Sequence, residues 1–235
     1  MPDTGSTNAD LTARAGDGAP HGAVLIADHQ RTGRGRLRRS WSAPPGASVA
    51  LSVLLRPTRT TGWSWLPLVC GIAVADAVRA AGANAVLKWP NDVLVDDLKL
   101  AGILVERTQT PAGPAVIIGC GINTTASIGD LPVPTATSIA AVGLGITPLD
   151  LVVDVLLRLD RLVTFWGDEA NDDLLGDMYS NRCSSLGQRV RAQLADTEVV
   201  GVATGIDADG GLLVHTADAE VTVVAGDVVH LRGNH

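Results

Sequence analysis

Apolar residues fall into two kinds of segment along this chain, short runs that are apolar throughout and longer stretches in which they recur at helical spacing. The runs Gly22–Ala27, Val49–Leu55 and Ala115–Ile122 are bounded by glycine, proline or polar turns, which predicts buried strands. Trp65–Ala80 carries Leu66, Val69, Ile72 and Ala73 at helical spacing and reads as an amphipathic helix. Leu149–Trp166 is the longest predicted helix, with Val152, Val155, Leu156, Leu159 and Val163 on one face, and a second helix follows over Glu169–Tyr179. Ser6-Thr7-Asn8 supplies a polar cap for a short helix over Ala9–Ala15. Between Val86 and Glu106 the pattern is of strands around two turns, Pro90-Asn91-Asp92 and Asp96-Asp97. Ala43-Pro-Pro-Gly46 breaks the chain, and Thr124–Thr137 reads as a loop.

The pattern changes after Cys183. Four short β segments remain, Arg189–Leu194, Val199–Ile206, Gly211–Thr216 and Glu220–Leu231, with a hairpin turn at Asp207–Gly211. They predict a small barrel, too small to stand alone and therefore docked on the larger part. The expected division is a catalytic domain over residues 1–183 and a small β domain over 184–235.

Composition narrows the classes. Hydrophobic residues make up 46% of the 235, which excludes general disorder. No apolar run approaches the roughly 20 residues of a membrane span, and the N-terminus has no signal-peptide pattern. A soluble, cytoplasmic protein is the default expectation. The three cysteines lie far apart without a C-x-x-C pair, so reduced core thiols are expected rather than zinc or disulfides. A net charge of −7 argues against a general nucleic-acid coat. Against that background Arg31, Arg34, Arg36, Arg38 and Arg39 form a local basic cluster.

The cluster alternates with glycine in Gln30-Arg-Thr-Gly33-Arg-Gly-Arg-Leu-Arg-Arg-Ser-Trp41. Arginine forks hold phosphate or carboxylate, and glycine permits close backbone approach. The segment alone is equally open to a solvated patch, a localisation-like run or an RNA contact. It is neither a dinucleotide fingerprint nor a P-loop, because Arg38 stands at the third glycine position and no Gly-Lys-Ser/Thr follows. Lys88-Trp-Pro-Asn-Asp92 places a lysine at a strand end before a rigid turn, where an ammonium can neutralise a carboxylate and the phosphate it attacks. Lys99-Leu-Ala-Gly102-Ile-Leu-Val-Glu106 and Gly119-Cys-Gly121-Ile-Asn123 are each weak signals in isolation.

Taken in order, Ser6-Thr7-Asn8, Gln30 with Gly33–Trp41, Lys88–Asp92, Lys99–Glu106 and Gly119–Asn123 resemble the biotin–protein ligase family, and the ending resembles its small SH3-like barrel. The resemblance implies an α/β (α+β) fold, a mixed β-sheet packed with helices and class II synthetase-like, followed by that barrel. It implies formation of biotinyl-5′-AMP from biotin and ATP, with Mg²⁺, then transfer of biotin to one lysine of a biotin carboxyl carrier domain of an acyl-CoA carboxylase. It places Ser6, Thr7, Asn8, Gln30, Arg34, Gly35, Arg36 and Lys88 around biotin. Gly33, Arg36, Arg39 and Asn123 fall to ATP, with Lys88 and Arg36 as the catalytic pair and no metal ligand singled out. Lipoate–protein ligase and a non-catalytic biotin-binding paralogue are the alternatives.

Three departures accompany the resemblance. Only five residues precede Ser6 where the family has a strand. Arg38 replaces a glycine of the loop, where any positive φ would be costly. No helix-turn-helix segment comes first, so DNA-binding control is not expected. Family members include dimers, which makes a homodimer through the central sheet an open expectation.

Overall fold

The computed structural model describes residues 1–131, 133–194 and 197–231. Six strands form the main sheet: β1 (Val24–Ala27), β2 (Ser48–Leu55), β3 (Ala85–Lys88), β4 (Asp92–Val95), β5 (Leu98–Thr110) and β6 (Gly113–Asn123), in the order β1-β2-β6-β5-β4-β3. Neighbouring strands all pair antiparallel. Among the described residues, parallel pairing is confined to isolated bridges at Thr4–Gln30, Leu87–Cys183 and Lys99–Ala136, so the sheet is mixed only at its margins. The Asp96-Asp97 turn is a tight hairpin with both residues at positive φ (51° and 62°).

Each face of the sheet carries its own apolar cluster. Helix α1 (Thr7–Gly16) packs Leu11 and Ala15 against Leu25, Leu54, Ala115 and Ile117 on one face. The larger cluster lies on the other face, under α2 (Leu66–Ala80) and α3 (Pro148–Trp166). Contrary to the sequence expectation, α2 is not amphipathic. Eleven of its fifteen residues are buried, because the sheet covers one side and α3 packs on another. The segment Trp63–Ala80 is also long and apolar enough to cross a membrane by composition alone, against the sequence expectation, and 67% of it is buried inside the fold as a core helix. Helix α3 is the amphipathic one, burying Leu151, Val152, Val155 and Leu159 and capped by Thr147. Helix α4 (Asp172–Ser180) completes the layer.

Ser6 is the N-cap of α1, so the helix begins two residues earlier than expected. The residues before it run beside the segment that follows β1: the Asp28 amide donates to Met1 O (3.2 Å), Thr4 N to His29 O (3.1 Å) and Arg31 N to Thr4 O (2.9 Å). This short stretch forms one parallel bridge, Thr4 to Gln30, and no strand of its own.

The second sheet comprises β7 (Arg189–Gln193), β8 (Glu198–Ile206), β9 (Leu212–His215), β10 (Glu220–Val223) and β11 (Asp227–His230), in the order β10-β9-β8-β7-β11. The single strand expected over Glu220–Leu231 is two. Gly226, at φ 151°, lets the chain leave β10 at one end of the sheet and enter β11 at the other. Docking on the first sheet is direct. Trp65 Nε1 donates to Ala208 O (2.8 Å) and Trp89 Nε1 to Gly210 O (2.9 Å), both in the β8–β9 hairpin, and residues of both sheets share one apolar cluster.

Candidate active site

A cavity of about 130 Å³ opens on the α1 face of the main sheet. Its floor is made of glycine. In register, Gly102 of β5 lies opposite Gly121 of β6, and Leu104 lies opposite Gly119. A Cβ at Gly119 would overlap the Asn8 amide, and one at Gly121 would come within 2.5 Å of the Trp41 indole. The Gly-x-Gly pair therefore makes room for two side chains that come from elsewhere in the chain, Asn8 from α1 and Trp41 from the loop.

The loop 33–41 is a closed turn with paired stems. Trp41 N donates to Gly33 O (2.9 Å), Gly35 N to Arg39 O (2.7 Å), and Arg34 bridges to Ser40. Gly33 is required by close approach, since a Cβ there would overlap the Trp41 carbonyl. The cost foreseen at Arg38 falls on its neighbour: within the short 3₁₀ turn Arg36–Arg38, Leu37 is the residue in left-handed backbone (φ 52°, ψ 38°). Two carboxylates tie the loop down. Arg34 Nη2 bonds Glu106 Oε2 at 3.1 Å, and Arg39 pairs with Asp227 at the start of β11. Burial draws the Arg36 guanidinium below its ordinary pKa; Asp227 and Asp92 oppose that shift and Arg39 adds to it.

Lys99 is the cation that the sequence reading left unassigned. Counting alternate residues back from core-facing Ile103 and Ala101 would turn Lys99 toward the core. A register shift between β4 and β5 intervenes, so that Val93 pairs Ala101 while Leu94 pairs Lys99. Leu100 and Ala101 are then both fully buried, and Lys99 emerges on the cavity face. Its ammonium lies 2.5 Å from Asp92 Oδ1 and 5.7 Å from the centre of the Trp41 ring. It would also touch a Cβ placed on Gly102 (3.2 Å).

Ser6, Thr7, Asn8, Gln30, Arg34, Gly35, Arg36 and Arg39 all line this cavity. Three expected residues do not. Lys88 pairs Asp92, which pairs Gly102, so it shares their face but sits on the edge strand, outside the lining. Asn123 is buried, and its amide donates to Thr137 O (2.9 Å), holding the following loop rather than facing the cavity. Gly33 shapes the loop from behind. The sequence reading missed Asp92, Lys99 and Asp227 as lining residues. Lys99 and Asp92 were quoted within motifs, whereas nothing in the β11 sequence marked Asp227.

The model of the biotin/lipoate A/B protein ligase family matches residues 6–123, and that of the biotin protein ligase C-terminal domain matches residues 185–231. The chain is 43% identical to the biotin–[acetyl-CoA-carboxylase] ligase of Mycobacterium tuberculosis, over 97% of this chain and 87% of that one. It is 33% identical to the bifunctional ligase/repressor BirA of Salmonella typhimurium, over 99% of this chain and 73% of that one. Among solved structures, the biotin protein ligase from Aquifex aeolicus in complex with biotin and ATP superposes with a TM-score of 0.81 at 25% identity, covering 99% of this chain and 97% of that one.

Proposed function

From the premise that this chain belongs to the biotin/lipoate A/B protein ligase family and carries the biotin-type C-terminal domain, we infer that it is an ATP-dependent biotin–[acetyl-CoA-carboxylase] ligase. The observation that carries the reading is one cavity lined by two unlike kinds of group. Ser6, Thr7 and Gln30 offer hydrogen-bonding groups suited to a small polar head, while Arg36, Arg39 and Lys99 supply fixed cations. The family includes lipoate ligases; the C-terminal domain and the 43% identical relative favour biotin.

The chemistry follows from charge. A carboxylate attacking an α-phosphate brings two anions together, and a polyanion leaves, so cations fixed in advance lower the barrier most. We assign Lys99 to the reacting carboxylate and phosphate, in place of Lys88. Its position in the cavity and its hold on Asp92 support the assignment. Arg36 and Arg39, on a loop tied at both ends, keep water from the mixed anhydride until an amine arrives. Trp41 offers an aromatic surface in the lining for a nucleotide base. Mg²⁺ enters with ATP. Among the described residues no three His, Cys, Asp or Glu side chains gather to hold a metal, and Asp92 and Asp227 are each paired with a cation. The residues present do not form a metal site of their own.

The acceptor is a lysine of a biotin carboxyl carrier domain, and the site of action is the cytoplasm, in keeping with three free, buried cysteines. A homodimer is the finer expectation. It is supported by β5, whose outer side is covered by β4 only over Leu98–Gly102. Incubation with biotin, ATP, Mg²⁺ and a purified carrier domain tests the whole reading by mass. One biotin adduct on one lysine is expected, and an unmodified carrier overturns it.

A further inference from the structure

The polar end of the cavity is wired as a single chain of hydrogen bonds. The Asn8 amide nitrogen donates to Glu106 Oε2 (2.8 Å) and to the Leu104 carbonyl (3.2 Å). That leaves Asn8 Oδ1 toward Ser52, whose hydroxyl donates to it at 2.6 Å. A hydroxyl has one proton to give. With the Ser52 proton on Asn8, the single Thr7 proton goes to one of two acceptors inside the network, Ser52 Oγ at 2.8 Å or Gln30 Oε1 at 3.1 Å. Thr7 Oγ1 then has only lone pairs left, so it meets a ligand as an acceptor. Gln30 Oε1 accepts from Thr7 N (2.8 Å), which turns the Gln30 amide nitrogen outward as a donor.

The directions at Asn8 and Ser52 trace back to Glu106, and with them the Ser52 proton is withheld from Thr7. An ionised carboxylate cannot donate, so Asn8 has one orientation that satisfies it. Thr7, Asn8 and Ser52 are only 3%, 4% and 0% exposed, so water cannot substitute for a missing partner. Gly119 leaves the space that the Asn8 amide occupies, since a Cβ there would overlap it. The same Glu106 oxygen also accepts from Arg34 of the loop (3.1 Å).

We propose that Glu106 is a positioning residue for the polar head of the substrate: its carboxylate sets the direction of the Asn8–Ser52–Thr7 chain, presenting an acceptor at Thr7 and a donor at Gln30 to a cyclic urea, and ties that setting to the loop through Arg34. The proposal rests on the biotin reading above. A cyclic urea has ring N–H donors and a carbonyl acceptor, which this pattern complements. Glutamine at 106 keeps the shape but can donate as well as accept, so the chain loses its fixed direction.

The test is biotin binding by calorimetry, alongside biotin- and ATP-dependent pyrophosphate exchange, for wild type, Glu106→Gln, Ser52→Ala, Asn8→Ala and the Glu106→Gln/Asn8→Ala double variant. Glu106→Gln is expected to weaken biotin binding about 10- to 100-fold, the loss of one hydrogen bond to a charged group. The KM for ATP and the melting temperature should stay near wild type. Ser52→Ala, remote from any ligand, should weaken biotin in the same selective way, and the double variant should be no worse than Asn8→Ala alone. A change in biotin affinity below threefold for Glu106→Gln, an equal loss for ATP, or multiplying effects in the double variant overturns the positioning role. Wild-type protein that binds no biotin overturns both this role and the biotin reading. Wild type that binds biotin while Glu106→Gln matches it overturns the role alone.

Discussion

Replacing Lys99 with alanine removes the one lysine that lines the cavity among the described residues. The ammonium sits 2.5 Å from Asp92 and within reach of Gly102 on the floor, so a bound carboxylate or α-phosphate would approach it closely. At about 4 Å and an effective dielectric of about 20, one such charge pair is worth about 4 kcal/mol. Removing a single preorganised stabilising group from an active site costs about 2.7–4 kcal/mol, or roughly 10²–10³ in rate. The upper end is expected here, because Asp92 loses its partner and then repels the incoming anions. Lys88 stands two strand spacings from Gly102, roughly 10 Å away. It is half-exposed at the sheet edge. There, in water-like dielectric, its charge contributes about 0.4 kcal/mol, a factor of about two. Biotin-dependent pyrophosphate exchange separates the two residues. Lys99→Ala should lose roughly 10³-fold in kcat, and Lys88→Ala should stay within about threefold. The reasoning is refuted if Lys88→Ala is the crippled variant and Lys99→Ala exchanges at a near-normal rate.

Other consequences follow from the same geometry. Gly121→Ala displaces the Trp41 indole and Gly119→Ala displaces the Asn8 amide. The first should raise the KM for ATP and the second the KM for biotin, by about tenfold or more; the opposite assignment would show that the two glycines do not seat these side chains. Arg36→Gly should release biotinyl-adenylate and label bystander lysines, read by mass spectrometry of a mixture containing an unrelated protein. Labelling confined to the natural acceptor would remove the loop from its guarding role. Alkaline pH should destabilise the fold in a defined direction. A hydrogen bond with Cys70 together with burial raises the Cys120 thiol well above its ordinary 9.0, and burial raises Tyr179 well above 10.0 and Cys183 above 9.0. These groups are neutral in the folded chain while the unfolded chain ionises first, so their stabilisation is complete below about pH 9 and declines as pH rises above it. A melting temperature that holds level from pH 8 to pH 11 would contradict that burial.

Asp227 shows how far the site depends on the second sheet. It pairs with Arg39 and lines the cavity, although it lies more than a hundred residues from the other lining groups. Among the described residues it joins the loop to β11, so the docking made by Trp65 and Trp89 against the β8–β9 hairpin also holds the loop in place. Asp227→Ala should therefore loosen the loop without unfolding the main sheet, seen as faster proteolysis between Arg31 and Trp41 at an unchanged melting temperature. Equal protease resistance in variant and wild type would show that the pair does not restrain it.

By itself the sequence determined the kind of chemistry and most of the scaffold. Apolar runs bounded by turn residues located the buried strands and helical spacing located the helices, because burial selects those patterns directly. Gly33-x-Gly35 amid arginines pointed to an anion loop once set among the other motifs, whereas Gly119-x-Gly121 after an apolar run was a weak signal and what approached it was not legible. Those contacts, Asn8 with Gly119 and Trp41 with Gly121, join residues 111 and 80 positions apart, and only packing sets them. The choice between two lysines was likewise out of reach. Lys88 sits beside the more conspicuous turn, and strict alternation along β5 would bury Lys99. One irregularity in the β4–β5 ladder reverses the side on which Lys99 emerges. A bulge is a property of two paired strands, so it is written in their register and not in either strand's own pattern.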